Sequence, residues 1–351
     1  MSTRFTALQR QRFRLYLRIL AGGAVIGAAY GAALSQEGYS VWVSVLVGVI
    51  NGLGIAGCIS GFEIFLLREG SSMRRLVRLP FALVLLLKTL FYAALISLFV
   101  IGAPRLALLL PASVAYAPLA PQRELATVGF SLATTLVIVI LLQASALVGR
   151  RTFRDLMLGR YRNPRAERRF FLFVDVVGST AIAERLGALQ AHRFLSAVFS
   201  ATAEPVAACR GEIYQYVGDE IVITWTEEDG KPDARPLKCF FLMESFLSDQ
   251  KALFKERFAA APGLRAALHL GEVIAGEVGE SRRAIVFHGD VMNTTSRLEH
   301  ATRETGCRFI ASADALAAFG SVTEYELKDL GALALRGRQQ PIRASGIELR
   351  N

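Results

Sequence analysis

Hydrophobic residues follow two different rhythms along this chain, and the change comes at Gly149. Before it they form long, nearly unbroken runs; after it, short alternating stretches take turns with helical spacing. The runs Ile19 to Leu34 (with Leu15 to Arg18 snorkelling at the inner edge), Val41 to Leu67, Phe81 to Ile101 and Ala126 to Val148 are each long enough to cross a bilayer. The pattern therefore predicts a membrane domain over 1–148 with four transmembrane helices, at about 15–34, 41–67, 81–101 and 126–148. Leu106 to Ala120 is apolar but short and broken by Pro111 and Pro118, so it reads as a re-entrant or outer surface segment.

Residues 149–168 form a linker. Thr152 to Arg162 is short, polar and basic with no sustained heptad, which predicts a direct coupler and not a long coiled coil; Asn163-Pro164 ends it. Residues 169–351 then alternate between strand and helix. Strands are predicted over Arg169 to Val176, Glu212 to Val217 and Glu220 to Trp225, the last two forming a hairpin turned at Gly218-Asp219, then over Leu264 to Leu270, Val273 to Val278 and Ala284 to His288. Helices are predicted from Gly178-Ser179-Thr180 to Leu186, and over Ala188 to Ala207, Pro236 to Ala260 and Asp290 to about Thr305. Interleaved elements with consecutive antiparallel pairs indicate an α+β sandwich whose sheet is open on one face.

Composition sharpens this division. The chain has 351 residues, of which 53% are hydrophobic, more than a soluble protein carries, and the excess lies before Gly149. The formal charge of +10 would suit a nucleic-acid binder, but the arginines cluster beside the apolar runs and form no face of their own, so no nucleic-acid partner is expected. The N-terminal arm, Arg68 to Arg78 and Arg150 to Arg169 are arginine-rich, while Ser35 to Ser40 has no basic residue. That asymmetry predicts a multi-pass protein of the inner (plasma) membrane, with its N-terminus and soluble half in the cytoplasm. The four cysteines, Cys58, Cys209, Cys239 and Cys307, have no metal-ligand spacing and read as reduced structural thiols. Glycines in the first two spans (Gly22, Gly23, Gly27 and Gly31; Gly48, Gly52, Gly54, Gly57 and Gly61) permit close helix contact. Glu63 and Lys88, an acid and an amine inside the spans, can form an ion pair or snorkel to the interface.

The candidate chemistry begins where the first soluble strand ends. Asp175 closes that strand, Val176 and Val177 follow, and Gly178-Ser179-Thr180 turns the chain into a helix N-terminus. Amides of such a turn can point at a phosphate, and a carboxylate beside them can hold the cation that neutralises it; an Asp here can also simply cap the helix. Asp219 in the hairpin turn can approach Asp175, and two carboxylates suit Mg²⁺ ions shared with a triphosphate. Asn293 and Arg297 are four apart and project from one helix face, an amide for a ribose and a guanidinium for phosphoryl charge. His269 and His288 have no partner histidines at ligand spacing and read as structural.

Three motifs in order, Phe173-x-Asp175-x-x-Gly178-Ser179-Thr180, Val217-Gly218-Asp219 and Gly289-Asp290-x-x-Asn293-x-x-x-Arg297-Leu298-Glu299, resemble the class III adenylate and guanylate cyclase catalytic domain. The resemblance covers about Arg169 to Glu348. It implies a ferredoxin-like α+β core, a homodimer with sites at its interface, and conversion of ATP to 3′,5′-cyclic AMP and pyrophosphate with two Mg²⁺ or Mn²⁺ ions. By the same resemblance Asp175, Val176 and Asp219 form the metal site, and Val177, Gly178, Ser179 and Thr180 line the phosphates. Asn293 and Arg297 are then the catalytic residues supplied by the other subunit, and Arg336 in Leu335-Arg336-Gly337-Arg338 is the basic residue that holds the triphosphate.

The family's usual base selectors are replaced here by Gln215 and Val286. A glutamine amide can pair with adenine or, flipped over, with guanine, and Val286 offers no polar side chain. Adenine selection then rests on backbone groups or pocket shape around Val286 and Phe287. Guanylate cyclase and a non-catalytic nucleotide-binding membrane receptor are the alternatives, and the intact Asp175, Asp219, Asn293 and Arg297 set argues against the second.

Overall fold

A computed structural model describes residues 7–34, 41–66, 81–102, 121–280, 283–334 and 340–350. The chain separates into two compact units that divide at Leu147 and Val148. The expected loops Ser35 to Ser40 and Arg68 to Arg78, the segment Leu106 to Ala120, and Arg336 lie outside the described residues.

In the first unit, α1 (Ala7–Leu34) and α2 (Val41–Gly61, continued by a π-helical turn Phe62–Leu66) pack backbone to backbone. A Cβ added to Gly27 would run into the Gly48 carbonyl, and one added to Gly52 into the Gly23 carbonyl, so these glycines set the approach of the two helices. The helices α3 (Phe81–Ser97, with a π turn Leu98–Gly102) and α4 (Pro121–Val148) complete the described unit. Three of its segments, Phe13–Ala33, Ser44–Ile64 and Glu124–Ser145, are long and apolar enough to cross a membrane. Within the expected third span the structure has a helix over Phe81–Ser97 continued by Leu98–Gly102, of which Leu86–Ile101 is a shorter apolar stretch. Lys88 in α3 lies 2.8 Å from Glu63, and the Tyr92 hydroxyl donates to the same carboxylate. Of the two arrangements open to this acid and amine, the structure has the ion pair.

The second unit begins with α5 (Arg150–Met157), ahead of Asn163-Pro164. Its sheet has the order β2-β3-β1-β4-β6-β8-β7, with β5 paired to β4. The strands are β1 (Arg165–Val176), β2 (Glu212–Val217), β3 (Glu220–Thr226), β4 (Leu264–Val278), β5 (Ala284–His288), β6 (Phe309–Ser312), β7 (Tyr325–Leu333) and β8 (Ile342–Leu349). Alternation in β1 divides the sheet into two faces. Phe170, Leu172, Val174 and Val176 join the larger core, with residues of α7 (Ala188–Ala208), α8 (Arg235–Asp249) and α9 (Lys251–Phe258). Phe171 and Phe173 point the other way, into a smaller cluster with Val222, Val273, Phe287 and Val291. The helix α10 (Asp290–Thr305) lies on that second face.

Three predicted boundaries move. β4 runs unbroken through Gly271, where two strands were expected, because it pairs with β1 from Leu264 to Ala275. Gly271 serves packing instead: a Cβ there would meet Val291 Cγ2 at 2.5 Å, so its absence lets α10 settle on the sheet. The single helix expected over 236–260 is two, α8 and α9, broken at Gln250 (φ −96°, ψ 5°). β1 also starts at Arg165, four residues into what was read as linker.

Candidate active site

Asp175 lies in the last turn of β1 on the second face, and register places it opposite Glu220 of β3 and Arg265 of β4. It is 4% exposed and does not cap the following helix, α6 (Ser179–Leu186), which has no side-chain cap. Gly178 before α6 has φ +71°, a left-handed geometry that glycine adopts without strain. The hairpin turn brings Asp219 alongside: burial and the neighbouring Asp219 carboxylate push the Asp175 carboxyl up to about 6, against the lowering pull of Arg265. Ser179 Oγ donates to Asp219 Oδ2, tying the turn to the hairpin. The Asp219 carboxyl sits below its ordinary value because Ser179 and Asp175 hydrogen-bond to it, against the raising effect of burial.

Sequence reading missed three groups that complete this cluster. Arg265 Nη2 is 2.5 Å from Asp175 Oδ2, and its Nε is 2.9 Å from Glu299 Oε1 on α10. Arg303 Nη2 approaches Asp175 Oδ2 at 3.4 Å. Burial first, then the charges of Glu299, Asp175 and Asp219, push the Glu220 carboxyl up to about 7. The signal for Arg265 was the one charged residue in the expected strand Leu264 to Leu270, but only antiparallel register reveals that it faces Asp175. Four carboxyl groups converge here on two guanidiniums. Arg265 and Arg303 offset part of that negative charge.

The turn is less open than its motif suggested. The Val177 N–H donates to the Gly263 carbonyl at 2.9 Å, so that amide is spent on the fold and cannot serve a phosphate. Gly178 and Thr180 are exposed and Ser179 is half-buried. Val176 is buried in the larger core, so only its main chain can take part in a metal site.

Asn293 and Arg297 are not brought to this cluster. Asn293 is exposed, Arg297 is half-buried, and neither is hydrogen-bonded or ion-paired among the described residues. Their helix turns about 100° per residue, which sets Arg297 roughly 200° from Glu299, on the far side of α10 from Asp175. On the base side, a β-bulge between Ile213 and Gln215 leaves Tyr214 as the extra residue and pairs Gln215 with Val222. Gln215 thereby shares the second face with Val222 and Phe287, and it is exposed. Val286 is half-buried opposite Gly276, and Phe287 is buried against Phe171 and Tyr214, with ring centroids 5.5 Å and 5.0 Å away. His269 donates to or accepts from Ser312 Oγ at 2.8 Å, in keeping with a structural role.

Residues 163–344 match the model of the adenylate and guanylate cyclase catalytic domain. The chain is 39% identical over 214 residues to Adenylate cyclase 2 of Rhizobium meliloti, covering 61% of this chain and 59% of that protein. It is 25% identical over 178 residues to an adenylate cyclase of Anabaena cylindrica, covering 49% of this chain and 35% of the relative. It thus spans less than two thirds of the length of either. A bacterial light-regulated adenylyl cyclase superimposes with a TM-score of 0.52 at 18% identity, over 65% of this chain and 66% of that one, which shows a shared fold.

Proposed function

Because the chain belongs to the adenylate and guanylate cyclase catalytic-domain family, we propose that it converts ATP to 3′,5′-cyclic AMP and pyrophosphate, as a homodimer held in the membrane by its N-terminal helices. One observation carries this reading. The acid cluster and the Asn293 and Arg297 pair occupy opposite sides of α10, so a complete site needs Asp175 and Asp219 of one copy and Asn293 and Arg297 of another. The names of the relatives support ATP as the substrate.

The residues present fit the Mg²⁺ or Mn²⁺ ions this reading requires. Asp175 and Asp219 set two carboxylates side by side, where burial and the Asp219 carboxylate raise Asp175 by more than the Arg265 guanidinium lowers it, an excess of negative charge that divalent ions would offset. Bound there, the ions supply acidification of the ribose 3′-hydroxyl and neutralisation of the leaving pyrophosphate. The protein's own residues do the rest. Asn293 orients the ribose, and Arg297 meets negative charge as it develops on the phosphoryl oxygens. That contact raises the rate because it strengthens in the transition state. Gln215 reads one edge of the base, and the main chain at Val286 and Phe287 reads another. Arg336 neutralises the triphosphate. The arginine asymmetry of the loops supports four spans with the catalytic unit in the cytoplasm.

The test is product analysis of the purified protein supplied with ATP or GTP and Mg²⁺ or Mn²⁺. Cyclic AMP formed well in excess of cyclic GMP is expected. Nucleotide binding without either product would overturn the activity, and preference for GTP would overturn the substrate.

A further inference from the structure

Arg169 is an unusual residue to find inside a sheet. It is 1% exposed, and a buried guanidinium is tolerated only when its charge and its N–H groups are matched. Every arm of it is used. Nε donates to Thr224 Oγ1 at 3.1 Å, Nη1 to Glu167 Oε2 at 3.0 Å, and Nη2 to Glu212 Oε2 at 3.1 Å. Its flat face stacks on Phe287, with Cζ 4.6 Å from the ring centroid. An ordinary aliphatic residue at this place would fill the volume at less cost, so the arrangement calls for a reason beyond packing.

Its two ends supply one. At one end, Phe287 belongs to β5, which pairs only with β4 among the described strands. Phe287 also meets the ring of Tyr214, the bulged residue next to Gln215. The stack on Arg169 is therefore a support beneath both parts of the base-reading wall, the Gln215 bulge and the Val286 to Phe287 main chain. At the other end, Glu212 is gripped by the membrane-proximal helix α5: Thr152 Oγ1 donates to Glu212 Oε1 at 3.1 Å, and Arg151 Nε lies 3.8 Å from Oε2. Arg151 is anchored in turn by Asp229 at 2.8 Å, a carboxylate that Thr226 also bonds. One carboxylate, Glu212, thus joins α5 to the guanidinium that supports Phe287.

We propose that Arg169 is a positioning residue for nucleotide-base binding, and that Arg151 and Glu212 connect its position to helix α5, so that the seating of α5 sets the affinity and choice of base. The inference rests on the cyclase reading for the location of the base. It adds a specificity element that lies behind the pocket and touches no substrate.

The full chain in detergent carries the test, with Arg169→Lys, which keeps the charge but loses the planar stack, and Arg151→Ala, which removes the Arg151 contacts of α5 with Glu212 and Asp229 and leaves Arg169 itself unchanged. Arg169→Lys should raise KM for ATP about tenfold and shift the ATP to GTP ratio, with kcat changed less than about threefold, on the scale of a lost cation–π stack. Arg151→Ala should move KM and the ratio in the same direction, by about threefold. Lower kcat at unchanged KM in both variants would overturn the proposal, because that is the mark of a general loss of folded enzyme. If Arg169→Lys does not fold, Arg151→Ala decides the matter, and an unchanged KM and ratio there would equally overturn it. A wild type that cyclises neither nucleotide would reject the activity alone; the dissociation constant of a ribose-labelled fluorescent ATP, measured for the same variants, would still test the coupling.

Discussion

Arg297 and Glu299 are two residues apart on α10 and face opposite ways. Glu299 is 3% exposed and reaches Arg265 at 2.9 Å, inside the cluster around Asp175, whereas Arg297 projects from the other side of the helix. Two residues of one short motif are thus assigned to two different surfaces, and in a two-copy enzyme they serve two different sites. Mixing Asp175→Ala protein with Arg297→Ala protein should restore activity to as much as about a quarter of wild type. Random pairing yields half heterodimers, each with one intact site of two. A mixture as inactive as its components, once subunit exchange has been verified, would rule out a shared site.

Loss of either aspartate should stop turnover without unfolding the protein. Asp175→Ala and Asp219→Ala remove the carboxylates expected to hold the ions, a contribution worth several kcal/mol of transition-state stabilisation. Cyclic nucleotide output with Mg²⁺ and with Mn²⁺ should drop more than a hundredfold, while thermal unfolding stays near that of wild type. Removing Asp175 also leaves Arg265 with Glu299 as its remaining close carboxylate, so the guanidinium stays paired and the fold survives. Retention of a tenth of the activity by either variant would take that residue out of the metal site.

In the membrane unit the sharp test is a double-mutant cycle on Glu63 and Lys88. Lys88 is 9% exposed and pairs with Glu63 at 2.8 Å and 3.0 Å. Lys88→Met alone strands a carboxylate among apolar side chains and should cost about 3 to 5 kcal/mol of stability, whereas Lys88→Met with Glu63→Gln should cost far less. Denaturation in detergent reads both. A double variant that costs as much as Lys88→Met and Glu63→Gln added together would mean that the pair contributes no coupling.

How much of this was legible in advance depends on the range of the interaction that carries the information. β1 and the hairpin at Gly218-Asp219 are local patterns, and both were readable, as was α10 from its Gly289-Asp290 start. The pairing of Glu63 with Lys88 was one of two arrangements that the cost of lone charge in an apolar run left open. What escaped depends on partners distant in sequence. Arg265 acquires meaning only from its register with Asp175, 90 positions earlier. Gly271 imitates a break between strands because its true partner, Val291, belongs to another element. The Val177 amide seemed available to a phosphate until Gly263 was found to occupy it. The strands β6, β7 and β8 were not predicted at all: β6 is only four residues long, and β7 and β8 are defined chiefly by pairing with each other.

The base offers the last prediction, because Gln215 and Val286 stand where the family resemblance implies base-selecting residues. The bulge at Tyr214 bears on it directly. Were Tyr214 paired regularly in the ladder, Gln215 would fall opposite Ile221 on the face of the larger core; with Tyr214 bulged, Gln215 pairs with Val222 and joins Phe287 on the second face. An exposed amide there is free to meet a nucleotide base completed by the same copy's β5 main chain. Replacing Gln215 by Glu leaves an acceptor-only group, which takes hydrogen bonds from guanine N1–H and N2–H₂ but offers none to adenine N1. An acceptor left facing an acceptor costs roughly 1 to 3 kcal/mol, so the ratio of ATP to GTP turnover should fall by about tenfold or more. Competitive turnover of the two nucleotides by wild type and Gln215→Glu measures that ratio directly. A ratio unchanged in a folded variant would clear Gln215 of the role and leave base choice to the backbone of Val286 and Phe287, the strand that Arg169 supports.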